Sequence, residues 1–358
     1  MQPRSKHTIP SLDGLRAISI LLVVCSHASL AFGAVARARP LGQLGVQVFF
    51  VISGYLITTL LLREWERTGG LDLTGFYVRR TTRILPAYLA FLGVLAVAAS
   101  IGWIALPPNA RWWPALTFTS NIASTNTWFT GHSWSLSVEE QFYVSWPIAF
   151  AFLGPRRARW LALAVFLGGS PVRALVFAAT HHGLQAVTLN HDFIAVGCVL
   201  ALAEKELRIS PRWQALMRSR WMWLMPATAL ALQLALSGRM QWQLTAYVLA
   251  VLPILAVAIA VTVAWCVEQS GGRVGRILNS RPMRAVGVLS YSIYLWQEPF
   301  LAPKHLGSLP VCLIAIAACA SLSYYFVERP GLAFRRVIGA SLLPRWHEDE
   351  SPAVGLAD

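Results

Sequence analysis

The segment AISILLVVCSHASLAFGAVA, from Ala17 to Ala36, is the clearest indication of the fold class of this chain. It contains no Asp, Glu, Lys or Arg, and its one strongly polar titratable side chain is His27. A helix of this length rises about 30 Å, which is the thickness of the hydrocarbon core of a bilayer. Comparable apolar stretches recur along the chain, so the sequence predicts an all-α, polytopic integral membrane protein.

The overall composition agrees with this prediction. Of the 358 residues, 56% are hydrophobic and only 13% are charged, while the formal net charge is +14. Intrinsic disorder is excluded because it requires low hydrophobicity. A soluble nucleic-acid binder would account for the basic excess but not for the scarcity of charged residues. A membrane protein with basic loops and no nucleic-acid partner accounts for both.

The apolar stretches predict about ten transmembrane helices. They are Ala17–Ala36, Leu44–Leu62, Ile84–Trp103, Val138–Leu153, Trp160–Ala179, Thr188–Ala203, Trp221–Ser237, Leu244–Cys266, Ala285–Leu301 and Val311–Val327. If the spans alternate from a cytoplasmic N-terminus, the inner loops hold about four times as many Lys and Arg residues as the outer loops. This bias predicts cytoplasmic N- and C-termini. Residues 1–336 are predicted to form one membrane domain, and 337–358 a short, disordered cytoplasmic tail.

The first functional candidate lies inside the first span. An ionisable group in a membrane is costly, so His27, roughly 15 Å along this helix, is a candidate by default. Arg16 precedes it by almost three helical turns, which puts both side chains on one helix face. That face would lead from an anion-binding entrance to a base. The alternative is an interfacial arginine and a histidine that is hydrogen-bonded between helices.

A basic cluster, FYVRRTTRIL (Phe76–Leu85), precedes the third span. Arg79 and Arg83 are spaced i, i+4 and share a helix face, with Arg80 beside them. Guanidinium groups are planar forks that suit phosphate oxygens, so the cluster could hold the phosphates of a nucleotide-like molecule. Simple positive-inside anchoring is the alternative explanation.

Two adjacent carboxylates stand in the segment WSLSVEEQFY (Trp134–Tyr143), at the start of a predicted span. Glu139 or Glu140 could orient a histidine or a hydroxyl acceptor. The alternative is a capping box, in which Ser137 is the N-cap of a helix and Glu140 is its N3 residue.

These segments, together with three others, resemble the membrane acyltransferase-3 family, which includes bacterial O-antigen and exopolysaccharide O-acetyltransferases. The resemblance extends from Leu12 to about Arg336 and is specific because the segments occur in the family's order. They are LDGLRAISILLVVCSH, GVQVFFVISGYLIT, FYVRRTTRILPAY, SWSLSVEEQFY, YSIYLWQEP and VERP.

The resemblance implies a multi-pass enzyme of the bacterial inner membrane. Such an enzyme moves an acyl group, commonly acetyl, from a coenzyme A thioester to a glycan hydroxyl, without a metal. It implies that His27 is the catalytic histidine, with Arg16 as its partner and Glu139 as part of the site. Basic residues that would help to hold the donor are Arg79, Arg80 and Arg83. Residues in the matching segments that would bind substrate are Trp134, Ser135, Tyr143 and Gln297.

Two positions depart from the family's pattern. Asn190 stands where members often have arginine, and Gln297 stands where they often have histidine. The acyl acceptor, the acyl-chain length and the oligomeric state are not defined by the sequence. A secondary transporter or glycan exporter is the alternative class, because many spans with buried polar residues suit it equally well.

Overall fold

The fold, seen in a computed structural model, is helical wherever it is described. The structure describes residues 9–33, 38–180, 190–235, 247–302 and 307–333, and these ranges contain no strand. The all-α prediction is therefore confirmed for this part of the chain. The predicted disordered tail, 337–358, lies outside the described residues.

The α-helices are numbered here in chain order. They are α1 (Leu12–Phe32), α2 (Arg39–Thr68), α3 (Leu73–Ser100), α4 (Trp113–Leu116), α5 (Ser133–Thr180), α6 (His191–Ile209), α7 (Pro211–Arg218), α8 (Leu224–Ala235), α9 (Leu252–Glu268), α10 (Arg273–Leu278), α11 (Arg281–Phe300) and α12 (Leu309–Ser323). Short 3-10 helices cover Trp128–Thr130 and Arg220–Trp223, and π-helical turns cover Tyr247–Val251 and Tyr324–Glu328.

Six segments of the described chain are long and apolar enough to cross a membrane. They are Leu12–Phe32, Arg39–Thr68, Leu73–Ser100, Trp128–Val176, Leu249–Glu268 and Leu309–Ala333. The chain is therefore a multi-pass membrane protein. The count of ten spans and the cytoplasmic placement of both termini stay predictions.

The six segments and the ten predicted spans differ for physical reasons. The fourth and fifth predicted spans fall within α5, which is continuous apart from a kink at Gly154 (φ 68°, ψ 169°). The sixth and ninth correspond to α6 and α11, which carry charged residues towards their ends and are not among the six segments. The seventh, Trp221–Ser237, contains the 12-residue α8, and its last two residues lie outside the described part of the chain.

Glycines allow the central helices to pack at short distance. A Cβ atom added at Gly197 of α6 would lie 2.2 Å from the carbonyl oxygen of Val51 on α2, and one at Gly287 of α11 would lie 1.9 Å from that of Asp13 on α1. Real Cβ atoms do not come this close, so only glycine fits at these crossings. Small residues let helices in a membrane approach closely where no hydrophobic effect drives them together.

Replacing Gly197 with alanine should therefore destabilise the protein. The added methyl group must push α6 away from α2, and overpacking of this kind costs about 1–3 kcal/mol. Thermal unfolding in detergent would measure the loss. Gly93→Ala is the matched control, because nothing lies within 4 Å of a Cβ atom at Gly93. An unchanged melting temperature for the Gly197 variant would contradict the proposed close packing.

Candidate active site

The site is built along the contact between α1 and α11. The Nε atom of Arg16 donates to the Oγ atom of Ser290 at 3.2 Å, and the Nδ1 atom of His27 lies 2.6 Å from the Oε1 atom of Gln297. The residue numbers of the contacting pairs increase in the same direction along α1 and α11, so the two helices run parallel. The face that Arg16 and His27 share is thus the face that packs against α11. Along α1 the two residues are separated by about 16 Å.

The contact with Gln297 determines which nitrogen of His27 is free. An amide oxygen only accepts hydrogen bonds, so the Nδ1 atom of His27 donates the proton to Oε1. In the neutral imidazole the lone pair is then on Nε2. His27 is half-buried, and its ring meets the ring of Trp128 edge-on at 5.6 Å between centroids. A positioned imidazole with a free Nε2 atom is suited to general-base chemistry.

A cavity next to the Arg16 end of this contact gathers three guanidinium groups. Arg16, Arg80 and Arg83 line it from α1 and α3. The guanidinium of Arg80 lies over the ring of Tyr143, 5.4 Å from its centroid. No carboxylate lies within ion-pairing distance of these three groups among the described residues. The cavity can therefore accept an anionic ligand.

One carboxylate, Glu139, lines the same cavity. Its Oε1 atom accepts a 2.6 Å hydrogen bond from the hydroxyl of Ser53, and Tyr143 donates to the same hydroxyl at 3.2 Å. The hydrogen-bonding partner of Glu139 is thus a hydroxyl, while Gln297 holds the histidine. Ser53, within the GVQVFFVISGYLIT segment, is a member of the site that was not among the predicted site residues.

The capping-box alternative for this segment is wrong. α5 begins at Ser133, so Ser137 lies inside the helix and donates to the carbonyl of Ser133 rather than capping an N-terminus. The segment's carboxylates are consequently free of a capping role.

The three arginines of the predicted basic cluster have two different surroundings. Arg80 and Arg83 line the cavity, whereas Arg79 extends towards Glu64 of α2, with 3.7 Å between Nη2 and Oε2. Arg79 is not among the residues that line the cavity, and the two residues of the cluster that do line it are spaced i, i+3. A donor-binding role for the cluster stays a prediction.

The predicted substrate-binding residues also lie in different surroundings. Ser135 and Tyr143 line the cavity, and Gln297 contacts His27. Trp134 packs edge-on against Phe50, 6.1 Å between ring centroids, and is not among the cavity's lining residues.

A second histidine lies close to His27, and sequence reasoning missed it. His132 is buried, and its Nδ1 atom lies 2.6 Å from the Oε2 atom of Glu298, the neighbour of Gln297. The available signal was a histidine directly before the SWSLSVEEQFY segment. Trp128 connects the two histidines, since its ring contacts His27 and its Nε1 atom donates to the carbonyl of Glu298 at 3.0 Å.

Asn190 stands where members of the family often have arginine, and the structure shows which arginine lies near this position. Asp192 forms a 2.6 Å ion pair with Arg173 of α5, and both side chains are 1% exposed. A buried carboxylate needs a cationic or hydrogen-bonding partner. The arginine in this pair therefore comes from a neighbouring helix rather than from position 190.

Comparison with known proteins identifies the class to which this fold and site belong. The acyltransferase-3 family, whose description is "Acyltransferase domain", matches residues 9–328. This match covers most of the chain, and the chain belongs to that family. No solved structure matches it significantly.

Two curated relatives are similar to nearly the whole chain. Peptidoglycan O-acetyltransferase OatA of Listeria monocytogenes is 28% identical over 380 residues, which cover 91% of this chain and 56% of the relative. O-acetyltransferase OatA of Staphylococcus aureus is 28% identical over 367 residues, which cover 91% of this chain and 57% of the relative. The chain thus spans a little over half the length of these relatives.

The geometry at Gln297 makes a spectroscopic prediction. In protein labelled with 15N-histidine, His27 should be present as the tautomer that is protonated on Nδ1, because Oε1 of Gln297 accepts that proton. Gln297→Ala should give a mixture of tautomers. The signal can be assigned by its absence from a His27→Asn variant. Protonation of His27 on Nε2 alone in the unsubstituted protein would contradict the described hydrogen bond.

Proposed function

We propose that this protein transfers an acetyl group from acetyl coenzyme A to a hydroxyl group of a peptidoglycan-type glycan. The observation that carries the proposal is His27, whose Nδ1 atom is held by Gln297 so that Nε2 remains available as a base. The membership in the acyltransferase-3 family supports the reaction class. The names of both relatives support acetyl as the acyl group, and the name of the Listeria monocytogenes relative supports peptidoglycan as the acceptor class.

The donor is proposed to bind at the cavity of Arg16, Arg80 and Arg83. Coenzyme A carries phosphate groups at one end of a long flexible arm and the thioester at the other. Guanidinium groups are well matched to phosphate oxygens. Arg16 lines the cavity, whereas His27 is not among its lining residues. The acyl end of the donor is therefore proposed to extend from the cavity beside the contact between α1 and α11 towards His27. The predicted orientation puts the arginines on the cytoplasmic side and the acceptor on the outer side.

The reaction needs a base because an alcohol is a weak nucleophile at neutral pH. The Nε2 atom of His27 takes the hydroxyl proton as the acceptor oxygen attacks the thioester carbonyl carbon. A carbon–oxygen bond forms, and the tetrahedral intermediate collapses with cleavage of the carbon–sulfur bond. The departing thiolate of coenzyme A then receives the proton from the imidazolium. The products are the acetylated glycan and free coenzyme A.

The alternative of a transporter or glycan exporter is less well supported. Membership in the acyltransferase-3 family favours a group-transfer enzyme. Three guanidinium groups in one cavity also suit a phosphate-bearing donor better than a neutral glycan. Consumption of radiolabelled acetyl coenzyme A by membranes, with identification of the labelled product, would separate the two classes. Labelled peptidoglycan supports the proposal; glycan movement without acetyl transfer refutes it.

Removing the imidazole of His27 should abolish most of the activity. A positioned general base contributes about 10²–10⁴-fold, so His27→Ala should lower kcat by that factor. The measurement is the transfer of labelled acetyl to the glycan by membranes that contain equal amounts of inserted protein. His191→Ala is the control, because that histidine starts α6 and has no part in the proposed site. Wild-type turnover in the His27 variant would refute the assignment of the base.

The arginines should contribute unequally to donor binding. Arg80→Ala and Arg83→Ala should each raise KM for acetyl coenzyme A about tenfold, since a hydrogen bond to a charged group contributes roughly 1.5 kcal/mol. Arg79→Ala is the matched comparison, because Arg79 extends towards Glu64 instead of the cavity. Steady-state kinetics at varied donor concentration give the three KM values. Equal effects from all three variants would indicate general electrostatic attraction rather than a defined site.

A further inference from the structure

The pair formed by His132 and Glu298 has no role in the transfer mechanism proposed above. His132 is 3% exposed and Glu298 is 4% exposed. Burial of polar, ionisable groups in a membrane bundle is costly and needs good hydrogen-bond geometry to offset it. A pair of this kind beside a candidate catalytic histidine therefore calls for an explanation.

The Oε2 atom of Glu298 joins α11 to the segment before α5. It accepts from the Nδ1 atom of His132 at 2.6 Å and from the backbone N–H of the same residue at 3.3 Å. Two donors converge on this oxygen, so the position of the 128–133 segment relative to α11 is closely defined. The hydroxyl of Tyr294, one turn earlier on α11, donates to the carbonyl of His132 at 3.0 Å and reinforces this attachment.

The contact between Glu298 and His132 also affects the positions of two groups that touch His27. Gln297, which accepts from His27, is the residue directly before Glu298. Trp128, whose ring meets the imidazole of His27, donates to the backbone carbonyl of Glu298 at 3.0 Å. A shift of Glu298 away from His132 would therefore move both the hydrogen-bond acceptor of His27 and the aromatic ring beside it.

The surroundings of His132 indicate that it acts through structure. Its ring lies edge-on to those of Phe91 and Tyr294, at 5.5 Å and 5.2 Å between centroids. Its Nε2 atom is buried and has no hydrogen-bond partner in the described part of the chain. A histidine enclosed by aromatic rings in this way is suited to hold Glu298 in position.

We propose that His132 and Glu298 are positioning residues for His27: their hydrogen bond fixes the end of α11 against the 128–133 segment and thereby sets Gln297 and Trp128 around the catalytic imidazole. This inference rests on the proposed function, in which His27 is the base. It assigns a role to two residues that the transfer chemistry itself does not use.

The kinetic test compares variants that remove the hydrogen bond with variants that preserve it. His132→Ala and Glu298→Ala should lower kcat about 10- to 100-fold without changing KM for acetyl coenzyme A, because misplacement of a catalytic group by a small distance has an effect of this size. His132→Asn and Glu298→Gln retain a side-chain N–H donor and a carbonyl acceptor, respectively. They should restore most of kcat.

A double-mutant cycle tests whether the pair acts through His27. In a His27→Ala background, Glu298→Ala should cause little further loss, because groups that act as one unit are not additive. Asp192→Ala is the matched control, since it breaks another buried 2.6 Å pair in a different part of the bundle and should leave kcat unchanged in correctly inserted protein. An equal loss of kcat in the Asp192 variant would mean that any broken buried pair has this effect, and would overturn the inference.

The tautomer of His27 supplies a readout that does not depend on turnover. In 15N-histidine spectra, Glu298→Ala and His132→Ala should mix the tautomers of His27 as Gln297→Ala does, while the Asn and Gln variants should keep the Nδ1-protonated form. Unchanged tautomer and unchanged kcat in both alanine variants would overturn the positioning role. Failure of Asn at position 132 to restore kcat would also overturn it, since His132 would then act chemically. A wild-type protein that shows the tautomer but transfers no acetyl would instead refute the proposed function.

Discussion

The contact between α1 and α11 is the constraint on which the rest of the site depends. Gly287 permits the two helices to approach until its Cα faces the carbonyl of Asp13, and the close approach brings side chains of both helices into hydrogen-bonding reach. Arg16 then meets Ser290, and His27 meets Gln297. In a membrane, where apolar burial gives little net attraction between helices, such packing and polar contacts are the main forces for association.

The contact between α1 and α11 contains two polar regions, one near Ser290 and one near Gln297. Near Ser290, Arg16 joins two arginines of α3 around a cavity suited to an anion. Near Gln297, His27 has a defined hydrogen-bond partner and an aromatic neighbour. The two regions lie along the same contact between helices, about 16 Å apart on α1. Their separation would allow the proposed donor affinity and the proposed base chemistry to be altered independently.

Local sequence patterns predict which residues of one helix face the same way, but they do not predict contacts between distant helices. Helical periodicity predicts correctly that Arg16 and His27 face the same way, because both belong to one uninterrupted helix. The same rule does not show that Arg80 and Arg83 line the cavity while Arg79 lies 3.7 Å from Glu64 of α2, because these positions depend on the neighbouring helices. The capping-box alternative at Ser137 fails because α5 starts at Ser133, five residues before the start that an N-cap at Ser137 would give. The pairing of His132 with Glu298 depends on residues 166 positions apart, which no local pattern can reveal.

The hydrogen bond between His27 and Gln297 joins residues that are 270 positions apart in the chain. During synthesis α1 enters the membrane long before α11 has been made. Until then the imidazole has neither its acceptor nor the close-packed neighbour that excludes lipid from this face. The proposed catalytic centre is thus completed only when α11 is added, which ties its formation to insertion of the helices between α1 and α11.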